Sequence, residues 1–178
     1  DIEGCGPIGV LLVQSVKAFG ADKVMVTDVS DYRLALAKRL GADYAFNTTK
    51  TDFGADLQEA FGPDKADVIY DCAGNDMTIN AAIENARKGS MIILVAVFDR
   101  MASADLAKLN DSELELNTTM MYRHEDYADA IRLVQEKKIL LKPLMTQHFA
   151  FRDYQKAYQA IDANREKTMK VLIDVQEP

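Results

Sequence analysis

Near the start of the chain, Gly4-Cys5-Gly6-Pro7-Ile8-Gly9 spells a complete G-x-G-x-x-G, and an acid, Asp28, stands downstream of it. Glycines at this spacing bring a backbone up against a pyrophosphate. The first permits a tight turn off a strand, the second lets the ligand approach the main chain, and the third lets the following helix pack on the strand. The start of that helix offers unpaired N–H groups and a positive dipole end to phosphates. A carboxylate about 20 residues past the glycines is placed to accept hydrogen bonds from adenosine ribose hydroxyls. Because a glycine-rich turn before a helix also occurs without any ligand, the motif counts only with the right elements around it.

Those elements are present. Val10, Leu11, Leu12, Val13, Val16 and Phe19 form an apolar helical run that begins at Pro7 and is closed by Gly20. Pro is tolerated there because the first helical N–H has no partner within the helix, and Gly past the end accepts a left-handed stop. Val24-Met25-Val26-Thr27 is a short β-branched strand that delivers Asp28 at its end. Only Asp1, Ile2 and Glu3 represent the strand ahead of Gly4, whereas a strand usually runs about 5–6 residues. The expectation is a chain that begins inside its first strand and is a piece of something longer.

Further along, Ser30 is placed to cap a helix with Leu34, Ala37 and Leu40 before Gly41, and Tyr44-Ala45-Phe46 reads as a third strand. Asp52 or Thr51 opens a helix with Leu57, Ala60 and Phe61, stopped at Gly62-Pro63. Asp67-Val68-Ile69-Tyr70-Asp71 is a buried strand leading to the turn Cys72-Ala73-Gly74. Asn75 or Asp76 then caps the helix of Ile79, Ala82, Ile83 and Ala86. Met91 to Val97 is apolar throughout, as for a strand covered on both faces. A short helix around 103–109, a strand over 114–119 and a helix over 126–136 complete the alternation. Strand and helix in regular succession predict an α/β fold, a Rossmann doubly wound six-stranded parallel sheet with right-handed crossovers. Beyond Pro143 the pattern becomes strand (145–150), helix (153–161), strand (169–175). That tail lies outside a finished sheet, so residues 1–142 are expected to form the dinucleotide-binding domain and 143–178 to belong to a second domain.

With 178 residues the chain can bury a core of its own, and a net charge of −7 speaks against a nucleic-acid partner. No apolar stretch approaches the ~20 residues that span a bilayer. Cys5 and Cys72 are the only cysteines and form no C-x-x-C, which supports neither a disulfide framework nor structural zinc; a cytoplasmic protein is expected.

Taken together, these stretches resemble the medium-chain zinc-dependent alcohol dehydrogenase family, and within it the sorbitol/L-iditol polyol dehydrogenases. The resemblance rests on Gly4 to Gly9, on Val26-Thr27-Asp28 with Arg33, and on Ala37-Lys38 before Leu40-Gly41-Ala42-Asp43. It continues through Asp67 to Gly74, Lys142-Pro143-Leu144 and the late Phe149. It covers essentially the whole chain as the family's C-terminal half, and implies a tail that returns to an N-terminal catalytic domain. Carried over by position, it puts Gly4, Gly6, Pro7, Ile8 and Gly9 at the pyrophosphate, Asp28 on the adenosine ribose and Arg33 beside the adenosine. Cys72, Ala73 and Gly74 would line the cofactor cleft, with Ala96, Val97 and Phe98 toward the nicotinamide. Tyr122 and Arg123 resemble an aromatic-arginine pair near the substrate. Ala96 stands where the family usually has glycine. The catalytic and structural zinc ligands of the family belong to the half that precedes this chain, so neither a metal ligand nor a catalytic residue is expected in it.

The implied activity is hydride transfer between a secondary alcohol, a polyol such as sorbitol, and NAD, with zinc only in the full-length parent. This chain alone would be inactive. The competing reading is a non-catalytic Rossmann module that senses NAD or another adenosine nucleotide. A homo-oligomer is expected as well, since strand six often pairs across a dimer in this family. Competing roles stand beside several residues. Asp28 could help start the Ser30 helix, Arg33 could be a solvated cation, and Tyr122-Arg123 a sheet-edge ion pair. Cys72 is expected as a small residue in a cleft wall, His124 at a helix start where Glu125 and Asp126 favour the dipole, and His148 on a strand surface.

Overall fold

The computed structural model describes residues 1–176. Its strands are β1 (Ile2–Glu3), β2 (Met25–Asp28), β3 (Tyr44–Asn47), β4 (Val68–Asp71), β5 (Met91–Leu94), β6 (Glu115–Thr118), β7 (Met145–Ala150) and β8 (Lys170–Asp174). The helices are α1 (Pro7–Ala18), α2 (Asp31–Arg39), α3 (Phe53–Phe61), α4 (Asp76–Asn85), α5 (Leu106–Asp111), α6 (His124–Gln135) and α7 (Tyr154–Ala163). Six strands form one parallel sheet in the order β3-β2-β1-β4-β5-β6. Strand order reverses between β1 and β4, and the carboxyl ends there are where open α/β sheets bind ligands.

Local chemistry sets the element ends as the sequence indicates. Ser30, Asp52 and Asn75 each accept a backbone N–H from the first turn of the helix they cap: Arg33 N at 3.3 Å, Ala55 N at 3.0 Å and Met77 N at 2.9 Å. Gly20 and Gly41 sit at φ of +98° and +118° just past α1 and α2. The period-2 alternation of β2 sends Val26 and Met25 to opposite faces, each fully buried. Val26 joins Ile2, Val10, Val13, Leu34 and Leu36 under α1 and α2, while Met25 joins Leu57, Ile69, Ile79, Ile83 and Ile92 under α3 and α4. Burying each such side chain stabilises by roughly 1.5–3 kcal/mol.

Two expectations are refined. Strand six is shorter than the 114–119 reading and exposes all four of its residues. Leu114 is buried but still belongs to the preceding turn, where its N–H reaches Leu109 O. The helix expected over 126–136 begins at His124, with Glu125 and Asp126 in its first turn.

The tail forms a parallel β7-β8 pair covered by α7. It folds back on α1 and α2: Leu144 and Met169, 3% and 6% exposed, enter the core cluster on that face. Phe151, Tyr154 and Tyr158 stay exposed on its other side.

Candidate functional site

The glycine loop is shaped by three different constraints. Gly4 adopts φ +95°, and a β-carbon there would press on Ala73 N at 3.2 Å. At Gly9 a β-carbon would sit 1.9 Å from Gly4 O, so α1 touches the turn backbone to backbone. Gly6 differs from both. Its φ of −63° and ψ of −177° suit any residue, and nothing lies within 4 Å of where its β-carbon would be. The protein's own packing does not require glycine at position 6. Pro7 opens α1 beside it and Ile8 is 54% exposed on the same rim.

Asp28 is brought to this loop by the pairing of β2 with β1. Its Oδ2 accepts Cys5 N–H at 2.7 Å and its Oδ1 accepts Ser30 N–H at 2.8 Å. The carboxylate thus ties the loop to the start of α2 and still has lone pairs for hydroxyl donors. Cys5 is fully buried, its thiol pushed up first by burial and then by the Asp28 charge, so it is no nucleophile. Arg33 lies on the first turn of α2 and is half-buried. Its guanidinium donates to Arg165 O in the tail at 2.8 Å, its Nε is buried without a partner, and Ser30 Oγ lies 3.4 Å from Glu166 O. The end of the loop expected to face adenosine therefore has the tail as a neighbour.

Across the switch point, β4 and β5 bring Cys72–Gly74 and Ala96–Phe98 together. Val95 and Ala96 both donate to Asp71 O, at 2.9 and 3.0 Å. Gly74, at φ +72°, faces Ala96, whose methyl would be 2.6 Å from an added β-carbon. Ala73, Gly74, Asp76, Val97, Phe98 and Arg100 line a cavity of about 370 Å³ here. A larger one of about 510 Å³, near Asp1, Val24 and Lys65, opens at the opposite, amino ends of the strands. We attach the chemistry to the smaller one, because it lies at the carboxyl ends where this topology binds ligands.

The Cys72 thiol is pushed up to about 12, chiefly by burial, and among the described residues no group of three or more His, Cys, Asp or Glu could hold a metal ion. Tyr122 and Arg123 are both exposed just ahead of α6; Tyr122 packs edge-on against Tyr127, and Arg123 N–H donates to Asp126 Oδ2. They stand apart from the cavity lining. His148 is exposed on β7, 3.3 Å from Asp174.

One organising residue escaped the sequence reading. Asp71, fully buried at the end of β4, accepts Ala73 N–H at 2.9 Å and Gly74 N–H at 2.8 Å, and the Thr78 hydroxyl lies 3.2 Å from each of its oxygens. It holds the β4–α4 turn. The signal in the sequence is an acid closing an apolar strand two residues before a small-residue turn, the pattern of an Asx turn.

Comparison with known proteins agrees with this geometry. Residues 7–136 match the zinc-binding dehydrogenase family model. Sorbitol dehydrogenase 1 of Saccharomyces cerevisiae is 35% identical over 96% of this chain and 49% of its own length, and sorbitol dehydrogenase of Bos taurus is 30% identical over 96% and 48%. A solved Escherichia coli oxidoreductase of unknown specificity superposes with a TM-score of 0.92 at 28% identity, covering 99% of this chain and 50% of that one. An Escherichia coli alcohol dehydrogenase solved with NADH does so at 0.85 and 25%, covering 96% of this chain and 50% of that one. The chain thus spans about half the length of the curated relatives it matches. By its sequence and its fold, it belongs to the zinc-binding dehydrogenase family and resembles the sorbitol dehydrogenases within it.

Proposed function

We propose that this chain is the NAD-binding part of an oxidoreductase that transfers a hydride between a secondary alcohol, a polyol such as sorbitol, and NAD. The observation that carries the reading is Gly6: a glycine that neither backbone conformation nor internal packing explains, on an open rim at the start of α1. A pyrophosphate seated there accounts for it. Gly4, Pro7, Ile8 and Gly9 shape that seat, and Asp28 accepts from the ribose hydroxyls. Arg33 borders the adenosine side. Cys72 to Gly74 and Ala96 to Phe98 wall the nicotinamide end, and Tyr122 and Arg123 lie toward the substrate. The nicotinamide supplies the redox chemistry; these residues bind it, orient it and exclude water from one side.

Among the described residues no cluster of His, Cys, Asp or Glu fits a zinc site. In this reading the metal and the catalytic groups belong to the part of the parent protein that its relatives have and this chain does not match. Residues 1–142 form the dinucleotide domain and 143–178 the returning segment of the catalytic domain, whose exposed Phe151, Tyr154 and Tyr158 face it. The edge of β6 pairs with a second copy of the protein. The two unpaired cysteines suit the cytoplasm, and among the described residues no helix is long and apolar enough to cross a membrane.

Calorimetry with NAD, together with an activity assay and elemental analysis of the purified chain, tests the reading. The expected result is saturable NAD binding with no alcohol oxidation and no stoichiometric zinc. Failure to bind NAD would overturn the assignment, and bound zinc would show that His124, His148 or Cys72 has been misread.

A further inference from the structure

Glu3, the last residue of β1, is 3% exposed, and its Oε2 has no hydrogen-bond partner. Strand register sets it between Thr27 of β2 and Asp71 of β4. Because Ile2 points to the α1–α2 face, Glu3 points to the α4 face, in one buried row with Thr27 and Asp71. Two carboxyl groups therefore sit side by side in the dry interior, directly beneath the turns that wall the cofactor cleft.

Two negative charges placed next to each other away from water repel one another. Asp71 has the donors: the amides of Ala73 and Gly74 and the Thr78 hydroxyl all lie within hydrogen-bond reach of its oxygens. Glu3 has none at Oε2. Burial first, and then the neighbouring Asp71 charge, push the Glu3 carboxyl well above its ordinary range. The Asp1 carboxyl lies one row below on the same face, the Cys72 thiol is pushed up to about 12, and Thr27, Thr78 and Leu94 are uncharged.

We propose that Glu3 is a positioning residue of the cofactor cleft: kept uncharged, it lets Asp71 hold the β4–α4 turn, and loss of its proton loosens that turn and weakens dinucleotide binding. A new charge at Glu3 repels Asp71 from the Ala73 and Gly74 amides, and it adds negative potential beneath the seat of a pyrophosphate. Only the affinity half of this inference rests on the NAD reading.

The test follows pH in the wild-type chain and in Glu3→Gln. The Glu3 carboxyl carbon, followed by NMR, titrates far above the ordinary 4.5, and the Ala73 and Gly74 amide resonances move with it. In Glu3→Gln those amides do not move over that range. NAD affinity falls by roughly tenfold across the Glu3 titration in the wild type and stays level in the variant, as expected for a coupling worth about one pKa unit. The stability linkage has a fixed sign. An acid whose folded pKa is raised loses stability as pH climbs from its unfolded value to its folded one. The midpoint advantage of Glu3→Gln over wild type therefore grows from pH 4.5 upward. Ordinary titration of Glu3, or amides that behave alike in both chains, overturns the proposal. If NAD binds at no pH, the cofactor reading falls while the amides still decide the positioning role. If Glu3→Gln does not fold, the wild-type carboxyl and amide titrations decide it by whether they coincide.

Discussion

Both residues of β1 and the first three of β2 are buried, and the glycine loop meets its own helix backbone to backbone at Gly4 and Gly9. At the other edge of the same sheet, β6 exposes all four residues and α6 buries only Leu133. The half proposed to hold adenosine and phosphates is built from buried strands and close-packed main chain. The half that would hold nicotinamide rests on longer loops, with Val97 71% exposed and Met101 95% exposed. A phosphate seat made of main chain tolerates little variation. A wall made of side chains on loops can be rebuilt without disturbing the sheet.

Three experiments break or sharpen this contrast. The largest effect is expected from cutting after Lys142. The cut removes Leu144 and Met169 from the α1–α2 cluster and the tail carbonyls near Ser30 and Arg33, all on the adenosine side. Loss of two buried side chains costs about 3–6 kcal/mol as an upper bound. If the tail belongs to another domain, urea unfolding stays cooperative and NAD affinity changes only a few-fold; if the core unfolds outright, the boundary at 142 is wrong.

Next comes a pair of glycine substitutions. Gly9→Ala drives a methyl into Gly4 O and the Gly4 carbonyl carbon, neither of which can yield, and should cost about 3 kcal/mol. Gly74→Ala meets the Ala96 methyl on a loop and touches the Val97 backbone at ordinary contact distance, with a left-handed backbone, and should cost about 1–2 kcal/mol. Equal losses in chemical denaturation would mean that the nicotinamide half is set as tightly as the other.

The third experiment is Asp28→Ser, read as cofactor preference and not as stability. A 2′-phosphate about 4 Å from the carboxylate at an effective dielectric near 20 is repelled by on the order of 4 kcal/mol before screening. We expect the wild-type chain to prefer NAD over NADP by roughly 100-fold or more, an energy gap of about 2.7 kcal/mol or larger. The serine variant should narrow that gap while lowering affinity for both, because Cys5 N–H and Ser30 N–H lose their acceptor. Equal calorimetric affinities in the wild type would remove Asp28 as the discriminator.

What the sequence made legible was local. Helix caps, glycine stops and strand alternation depend on residues within a few positions of one another, and Ser30, Asp52, Asn75, Gly20 and Gly41 act where their chemistry puts them. The loop and Asp28 were legible because a single β-α-β unit contains both. The roles of Glu3, Asp71 and Arg33 were harder to see. Glu3 and Asp71 are 68 positions apart and meet only through strand register, and the Arg33 partner lies 132 residues away in the tail. The fold-back of Leu144 and Met169 was hidden for the same reason: apolar residues in the tail announce that they need a surface, not which one.

Asp28 has a consequence beyond charge. With one oxygen held by Cys5 N–H and the other by Ser30 N–H, the carboxylate cannot spin about its own axis. Folding has therefore already removed its rotational freedom, which a loose side chain would surrender only on meeting a ligand. Ordering such a side chain at a binding interface costs about 0.5–1.5 kcal/mol. In this chain that entropy is lost before any partner arrives, and a donor that does not match the fixed direction finds no rotamer that will turn to meet it.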